Sequence, residues 1–133
     1  MKVLSLQIIR IITLAFFMVT VAQSEITSED MLLMNDSIKL PGTLTYNSTL
    51  KKQPLVIFIH GSGGVDRNGN QGPMSKPNYI KQLADALNKN GIAFYRYDKR
   101  TSNAENSKFF MKGVSLDDFV NDAKTIIQKF KED

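Results

Sequence analysis

The order of apolar and polar positions predicts a β-hairpin in the first part of the chain. Between Asp30 and Tyr46, two apolar stretches flank Asn35-Asp36, a pair suited to the positive φ angles of a tight turn. The second stretch alternates like a half-buried antiparallel strand, and Pro41-Gly42 in its middle predict an edge strand or a bulge. Its two faces hold Ile38, Leu40, Leu44 and Tyr46 on one side and Lys39, Thr43 and Thr45 on the other.

A continuous apolar pattern predicts the centre of the sheet. Pro54 to His60 is almost continuously apolar and rich in β-branched residues, as in a parallel strand with both faces covered. A polar stretch from Gly61 to Lys76 follows and holds five of the eight glycines. Because this stretch is too long for a simple connection, we expect it to be functional.

A first helix and a further strand follow the glycine-rich stretch. Apolar residues at helical spacing predict a helix over 78–90, with Pro77 in its first turn. Gly91 stands where a left-handed C-cap belongs. Ile92 to Tyr97 is then predicted as a strand, and a polar loop from Asp98 to Lys108 is predicted to follow it.

A second helix shows the most regular helical pattern of the chain. Ser115 is its predicted N-cap, with Asp118 three residues on and Val114 placed to pack against Phe119. Its apolar stripe consists of Leu116, Phe119, Val120, Ala123, Ile126, Ile127 and Phe130.

These elements predict an α/β fold in which an antiparallel hairpin is followed by parallel strands with crossover helices. A helix with seven apolar positions needs more sheet to cover it than a hairpin and two parallel strands provide. We therefore expect an incomplete sheet. Its uncovered apolar surface would favour self-association.

Residues 1–24 have the features of an export signal, with a positively charged start and an apolar run from Ile11 to Val21. Ala22-Gln23-Ser24 offers small residues for cleavage. Arg10 leaves the apolar run short of the ~20 residues that span a bilayer, so no stable membrane span is expected. We expect cleavage near Ser24, a periplasmic or extracellular location, and a partial domain over 25–133.

Composition excludes several other classes. Without cysteine the chain has neither a disulfide framework nor a lipid-modified cysteine. Setting aside Lys2 and Arg10 leaves 15 basic against 13 acidic side chains, so nucleic acid is not an expected partner. Asp66-x-Asn68-x-Asn70 is similar to the start of a calcium loop. Gln71 and Pro77 stand where glycine and glutamate are needed, so neither a metal nor a cofactor is expected.

The segment with most chemical content is Ile59-His60-Gly61-Ser62-Gly63-Gly64, directly after the apolar strand. Its glycines allow a sharp turn and leave backbone N–H groups free to face a negative oxygen developing on a substrate carbonyl. The alternative is a phosphate-binding loop between a strand and a helix. The segment lacks the Gly-Lys-Ser/Thr ending and does not fit Gly-x-Gly-x-x-Gly, which favours the oxyanion interpretation.

With Asp66-Arg67 and the strand end Arg96-Tyr97-Asp98-Lys99-Arg100, this loop resembles that of the secreted α/β-hydrolase esterases and related serine hydrolases. The resemblance runs from about Asp30 to Asp133. It implies the N-terminal part of an α/β-hydrolase fold. It also implies hydrolysis of a small-molecule carboxylic ester through an acyl-enzyme, with a peptidase or thioesterase of the same fold as alternatives.

The resemblance also implies roles for particular residues. The N–H of Ser62, together with Gly63, would form one half of the oxyanion hole, and the residue after the nucleophile would supply the other half. The loop would be shaped by His60, Gly61 and Gly64, and braced by Asp98 and Arg100.

The family's catalytic residues have no counterparts in these 133 residues. The family needs a Gly-x-Ser-x-Gly turn, then an acid, then a histidine. Ser62 comes nearest to the turn, but His60, the only histidine, stands in place of its first glycine. We therefore expect neither residue to be catalytic, the nucleophile, acid and base to lie beyond Asp133, and the chain itself to be inactive. The alternative is a small exported, non-catalytic binding or sheet-completing module.

Overall fold

The computed structural model describes residues 25–61 and 63–132, so the predictions for the export segment 1–24 and for Ser62 lie outside the described residues. In chain order the described elements are strands β1 (Ile26–Asn35), β2 (Ile38–Asn47) and β3 (Leu55–Ile57), helix α1 (Tyr79–Lys89), strand β4 (Ala93–Tyr97), a 3-10 helix (Ala104–Phe109) and helix α2 (Leu116–Glu132). The 3-10 helix lies in a segment that the sequence predicts as loop.

The strands form one four-stranded mixed sheet in the order β1-β2-β4-β3. β1 pairs antiparallel with β2, β2 pairs antiparallel with β4, and β3 pairs parallel with β4. The parallel pair is connected through α1, as parallel neighbours require a crossover. The prediction of a mixed α/β fold is therefore confirmed.

The hairpin turn lies one residue later than the sequence predicts. Asn35 pairs with Ile38, which leaves Asp36 and Ser37 as the two-residue loop. Asp36 has the positive φ, at 52°, because an aspartate side chain tolerates the left-handed region.

The prediction that Pro41-Gly42 mark an edge strand is wrong, because β2 lies between β1 and β4. The Pro41 carbonyl accepts a hydrogen bond from the Asp98 N–H at 2.8 Å, and β4 ends one residue earlier at Tyr97. The proline has no N–H to donate in return, so it lies at the end of the β2–β4 ladder and does not interrupt it. Gly42 leaves room for Tyr95, since a Cβ there would overlap the tyrosine hydroxyl and lie 2.5 Å from ring atom Cζ.

Helices cover both faces of the sheet. On one face Ile126 of α2 packs with Leu40 and Tyr95, and on the other Ile80 of α1 packs with Phe94. Thr43, Thr45 and Asn47 are buried on the α1 face, where the alternation predicts an exposed polar face. Asn88 of α1 contributes to that burial, because its Nδ2 donates to the Thr45 carbonyl at 2.9 Å.

The prediction of a fully covered central strand over Pro54 to His60 is wrong for the described sheet. β3 has three residues and lies at the edge, where only β4 pairs with it. Val56 is 38% exposed and Ile59 47% exposed. One strand edge and part of an apolar face are therefore open beside β3.

The ends of α1 combine one confirmed prediction with one correction. Gly91 has φ 73° and donates to the Asn88 carbonyl, while the Ile92 N–H donates to Leu87, as in a Schellman C-cap. The N-terminus differs, because Pro77 precedes the helix and Asn78 adopts a left-handed conformation at the N-cap.

The predicted N-cap of α2 is confirmed. The Ser115 hydroxyl accepts from the Asp118 N–H at 3.3 Å, and the Asp118 carboxylate accepts from the Ser115 N–H at 2.8 Å. Ile126 is buried, whereas Leu116 is 76% exposed and Val120 40% exposed. The stripe is therefore covered along only part of its length. No helix within the described ranges is both long and apolar enough to cross a bilayer.

Candidate oxyanion-loop site

The glycine-rich loop begins just past the carboxyl end of β3, next to the carboxyl end of β4. Sites in open α/β sheets lie in the crevice outside the carboxyl ends of parallel strands. The segments that follow β3 and β4 therefore build the candidate site together, although they are far apart in the sequence.

His60 connects the end of β3 to the end of β4. Its Nε2 lies 2.5 Å from the Tyr97 carbonyl oxygen, and because a carbonyl can only accept, Nε2 donates. The ring also meets Phe58 and Tyr97 edge-on, with centroids 5.3 and 5.4 Å apart. Burial lowers the pKa of the His60 imidazole, although the bond to Tyr97 acts in the opposite direction. This Nε2 is occupied by a structural hydrogen bond.

Lys99 reaches from the end of β4 into the loop. Its Nζ donates to the carbonyl of Gly61 at 2.7 Å and to that of Gly63 at 3.1 Å. Nζ also lies 4.6 Å from the centroid of the Phe119 ring. The sequence places Lys99 in the resembling strand end but gives it no role, because its partners are loop carbonyls that no side-chain pattern reveals.

A cavity of about 380 Å³ opens between the loop and the N-terminus of α2. Its lining residues are His60, Gly61, Lys99, Val114, Ser115, Leu116 and Phe119. The Ser115 hydroxyl donates to the Asp118 carboxylate at 2.8 Å, so it is used in the helix cap. His60 and Ser115 share this cavity, but each side chain has a structural hydrogen-bond partner.

Asp98 holds the far part of the loop through Arg67. Its Oδ1 accepts from the Arg67 backbone N–H at 2.8 Å, and its Oδ2 accepts from Nη2 of the same residue at 2.9 Å. Arg67 Nη1 also donates to Thr43 of β2 at 3.0 Å. Asp98 therefore connects the loop to the sheet and does not line the cavity.

Arg100 connects the end of β4 to α2. Its Nε and Nη2 each lie 2.7 Å from an Asp122 carboxylate oxygen, and its Nη1 lies 2.8 Å from Asp118. Asp122 is only 1% exposed, and the bonds it accepts raise the pKa of Arg100. Asn35 at the hairpin also donates to Asp122, so this cluster joins hairpin, strand end and helix.

In the segment similar to a calcium loop, residues 66–70, hydrogen bonds from the segment's own N–H groups satisfy the Asp66 carboxylate. Asp66 Oδ1 accepts from the backbone N–H groups of Asn68 at 2.8 Å and Asn70 at 2.9 Å. Burial alone would raise the pKa of Asp66, but these bonds outweigh it and lower the pKa. Among residues 25–61 and 63–132, no group of three acidic, histidine or cysteine side chains is placed to hold a metal ion.

Of the residues predicted to form the loop, Gly63 has a positive φ of 98°, a conformation that favours glycine. A Cβ at Gly61 or Gly64 would meet no atom within 4 Å, so both positions border open space. Ser62, the first predicted oxyanion donor, lies outside the part of the chain that the structure describes.

Comparison with known proteins adds no family to this picture. No protein-family model matches the chain, and no curated protein matches it. The functional interpretation therefore rests on the geometry of the loop and the cavity.

Proposed function

We propose that this chain forms the oxyanion-loop part of an exported serine hydrolase that cleaves small-molecule carboxylic esters. The observation that supports this most is that three features meet at one place. The glycine-rich loop follows a parallel strand, Lys99 binds two of its carbonyls, and the loop faces a cavity of about 380 Å³ at the start of α2. A glycine-rich loop that supplied N–H donors beside this mainly apolar cavity would suit an acyl group whose carbonyl oxygen becomes negative during attack.

In this proposal the nucleophile, the acid and the base are not among the 133 residues. The one histidine is hydrogen-bonded through Nε2 to the Tyr97 carbonyl, and the cavity serine caps α2. An oxyanion loop without a nucleophile and base retains only residual catalysis. The chain alone is therefore expected to be nearly inactive.

The open edge of β3 supports the place that we propose for the nucleophile. A further parallel strand paired with β3 would cover Val56 and Ile59, which are exposed. Its carboxyl end would then lie at the same edge of the sheet as the loop, because parallel strands end together. A serine in the turn after that strand would face the loop.

An ester-hydrolysis assay tests the activity of the chain. The purified protein with p-nitrophenyl acetate and butyrate is expected to show no turnover above buffer. Turnover comparable to that of an ordinary esterase would contradict the proposal. Sequencing of the encoding DNA past the Asp133 codon tests the other half, since a strand followed by Gly-x-Ser-x-Gly is expected there, and its absence in every frame would count against the hydrolase.

A second candidate is a non-catalytic module that completes a sheet with another chain. It is favoured by the unpaired edge of β3 and the neighbouring exposed side chains. Light scattering separates the two candidates. A single defined size at all concentrations favours the module, whereas an apparent size that grows with concentration favours the hydrolase part.

A further inference from the structure

Lys99 is buried where the loop, β4 and α2 meet, with 6% of its surface exposed. Its ammonium donates to the carbonyls of Gly61 and Gly63, and no salt bridge joins it to a carboxylate in the described ranges. A lysine that served only for charge pairing would face an acid. This one faces two peptide carbonyls of one short loop.

The direction of the Gly63 carbonyl determines the direction of the N–H group that follows it. In a trans peptide the C=O and N–H bonds point in opposite directions, and the described chain contains no cis peptide. Because the Gly63 carbonyl points at Lys99, the Gly64 N–H of the same peptide points away from Lys99. The positive φ of Gly63, at 98°, is part of this arrangement.

We propose that Lys99 is a positioning residue, which turns the loop carbonyls inward and so presents the Gly64 N–H to a negatively charged oxygen of the ligand. The nature of that oxygen, an ester carbonyl oxygen during acyl transfer, rests on the proposed function. The orientation of the loop does not. A preorganised donor needs no rearrangement when charge develops.

The orientation is tested by NMR on the full chain. In the wild type, scalar couplings across the hydrogen bonds from Lys99 Nζ to the carbonyl carbons of Gly61 and Gly63 are expected. This measurement needs no variant, so it decides the question even if a substitution prevents folding. Absence of both couplings under conditions where the Lys99 ammonium is observed would overturn the proposal.

Substitutions then test the consequence at Gly64. Lys99→Met keeps the aliphatic stem but removes the donors, and the residual dipolar coupling of the Gly64 N–H is expected to collapse toward zero. Lys99→Arg, which again donates to two acceptors, is expected to restore it. Lys108→Met is the matched control, because Lys108 lies over the exposed Phe109 ring. A folded Lys99→Met protein with the wild-type coupling would refute the positioning role.

Benzoate, a carboxylate with an aryl group, separates this inference from the proposed function. Titration with benzoate is expected to shift the Gly64 amide signal in the wild type and in Lys99→Arg, but not in Lys99→Met. If the scalar and residual dipolar couplings behave as expected and benzoate does not shift the Gly64 amide signal, the positioning role stands and the oxyanion function is rejected. If the couplings fail, the positioning role is rejected whatever benzoate does.

Discussion

At the scale of single residues, close packing and buried charge decide which substitutions this chain tolerates. Gly42 accommodates the Tyr95 ring. Arg100 donates through Nε and Nη2 to the nearly inaccessible carboxylate of Asp122. Neither contact is made within the residue's own segment of the chain. Both are made with residues that the fold places next to Gly42 and Arg100.

Gly42→Ala is expected to destabilise the protein by about 1–3 kcal/mol, because the added Cβ would lie 2.5 Å from Tyr95 Cζ and force the ring to move. Urea unfolding measures the change. Gly64→Ala is the control, since a Cβ there meets nothing within 4 Å, and its effect should stay within about 0.5 kcal/mol. Equal effects of the two substitutions would contradict the packing argument.

Asp122→Ala is expected to cost about 3–5 kcal/mol, because it leaves the Arg100 guanidinium without its main partner in a site where both side chains are nearly inaccessible. Asp85→Ala breaks the Lys81–Asp85 pair, whose side chains are half exposed, and should cost less than about 1 kcal/mol. Chemical denaturation in low and high salt checks both values. A loss at Asp122 as small as that at Asp85 would be inconsistent with a buried ion pair.

His60 should make stability depend on pH. Burial lowers its folded pKa below the ordinary value of 6.5, an effect that Lys99 strengthens and that Asp98 and Asp66 oppose. The unfolded state therefore binds more protons as pH falls, so this stability is complete above about pH 6.5 and is lost as pH falls through the lowered pKa. Urea unfolding from pH 7.5 to 5.5 should show a decline in the wild type and a shallower one in His60→Gln. Parallel declines would exclude His60 as the cause.

At the scale of elements, the ends of the two helices show how local signals act. α1 ends in a Schellman turn at Gly91, and α2 begins with reciprocal bonds between Ser115 and Asp118. Each arrangement joins residues within one helical turn. These ends were therefore predictable, while the side that each helix covers was not.

Ser115→Ala is expected to lower stability by about 1 kcal/mol, because the Asp118 N–H loses the hydroxyl that caps it. Thermal unfolding monitored by circular dichroism measures the loss. Ser115→Thr keeps a capping hydroxyl and should recover most of it, while Thr101→Ala in an exposed turn should have little effect. A Ser115→Ala protein with wild-type stability would show that the cap is unimportant.

At the scale of the whole molecule, large apolar side chains are exposed at both edges of the sheet and on α2. Val56 and Ile59 are exposed beside the free edge of β3, and Leu116, Val120 and Ile127 are exposed on α2. Unpaired strand edges and contiguous apolar side chains favour association. The β3 edge is where we propose that a further strand belongs.

Self-association is expected to depend on the β3 edge. The apparent mass of the wild type from analytical ultracentrifugation should rise with concentration, and Val56→Lys should reduce that rise, because an edge lysine opposes strand pairing. Leu32→Lys is the matched control, since Leu32 is 57% exposed on β1 at the opposite edge. If both variants reduce association equally, the β3 edge is not the contact.

The sequence by itself determined the features whose bonds close within a few residues. These are the hairpin, the Gly91 C-cap, the Ser115 N-cap and the positions of two helices, and a local pattern encodes them because the partners are neighbours in the chain. Even there, the two-residue turn lies at Asp36 and Ser37, one residue later than predicted. The alternation of apolar and polar positions also identified the apolar face of β2.

Only the tertiary structure decided which strands are neighbours. It placed β2 inside the sheet, left β3 at the edge, and buried Thr43 and Thr45 beneath α1. It also brought Lys99 to the carbonyls of Gly61 and Gly63, which lie 38 and 36 positions earlier in the chain. Strand order and backbone acceptors depend on contacts between distant segments, so no pattern within a single segment specifies them.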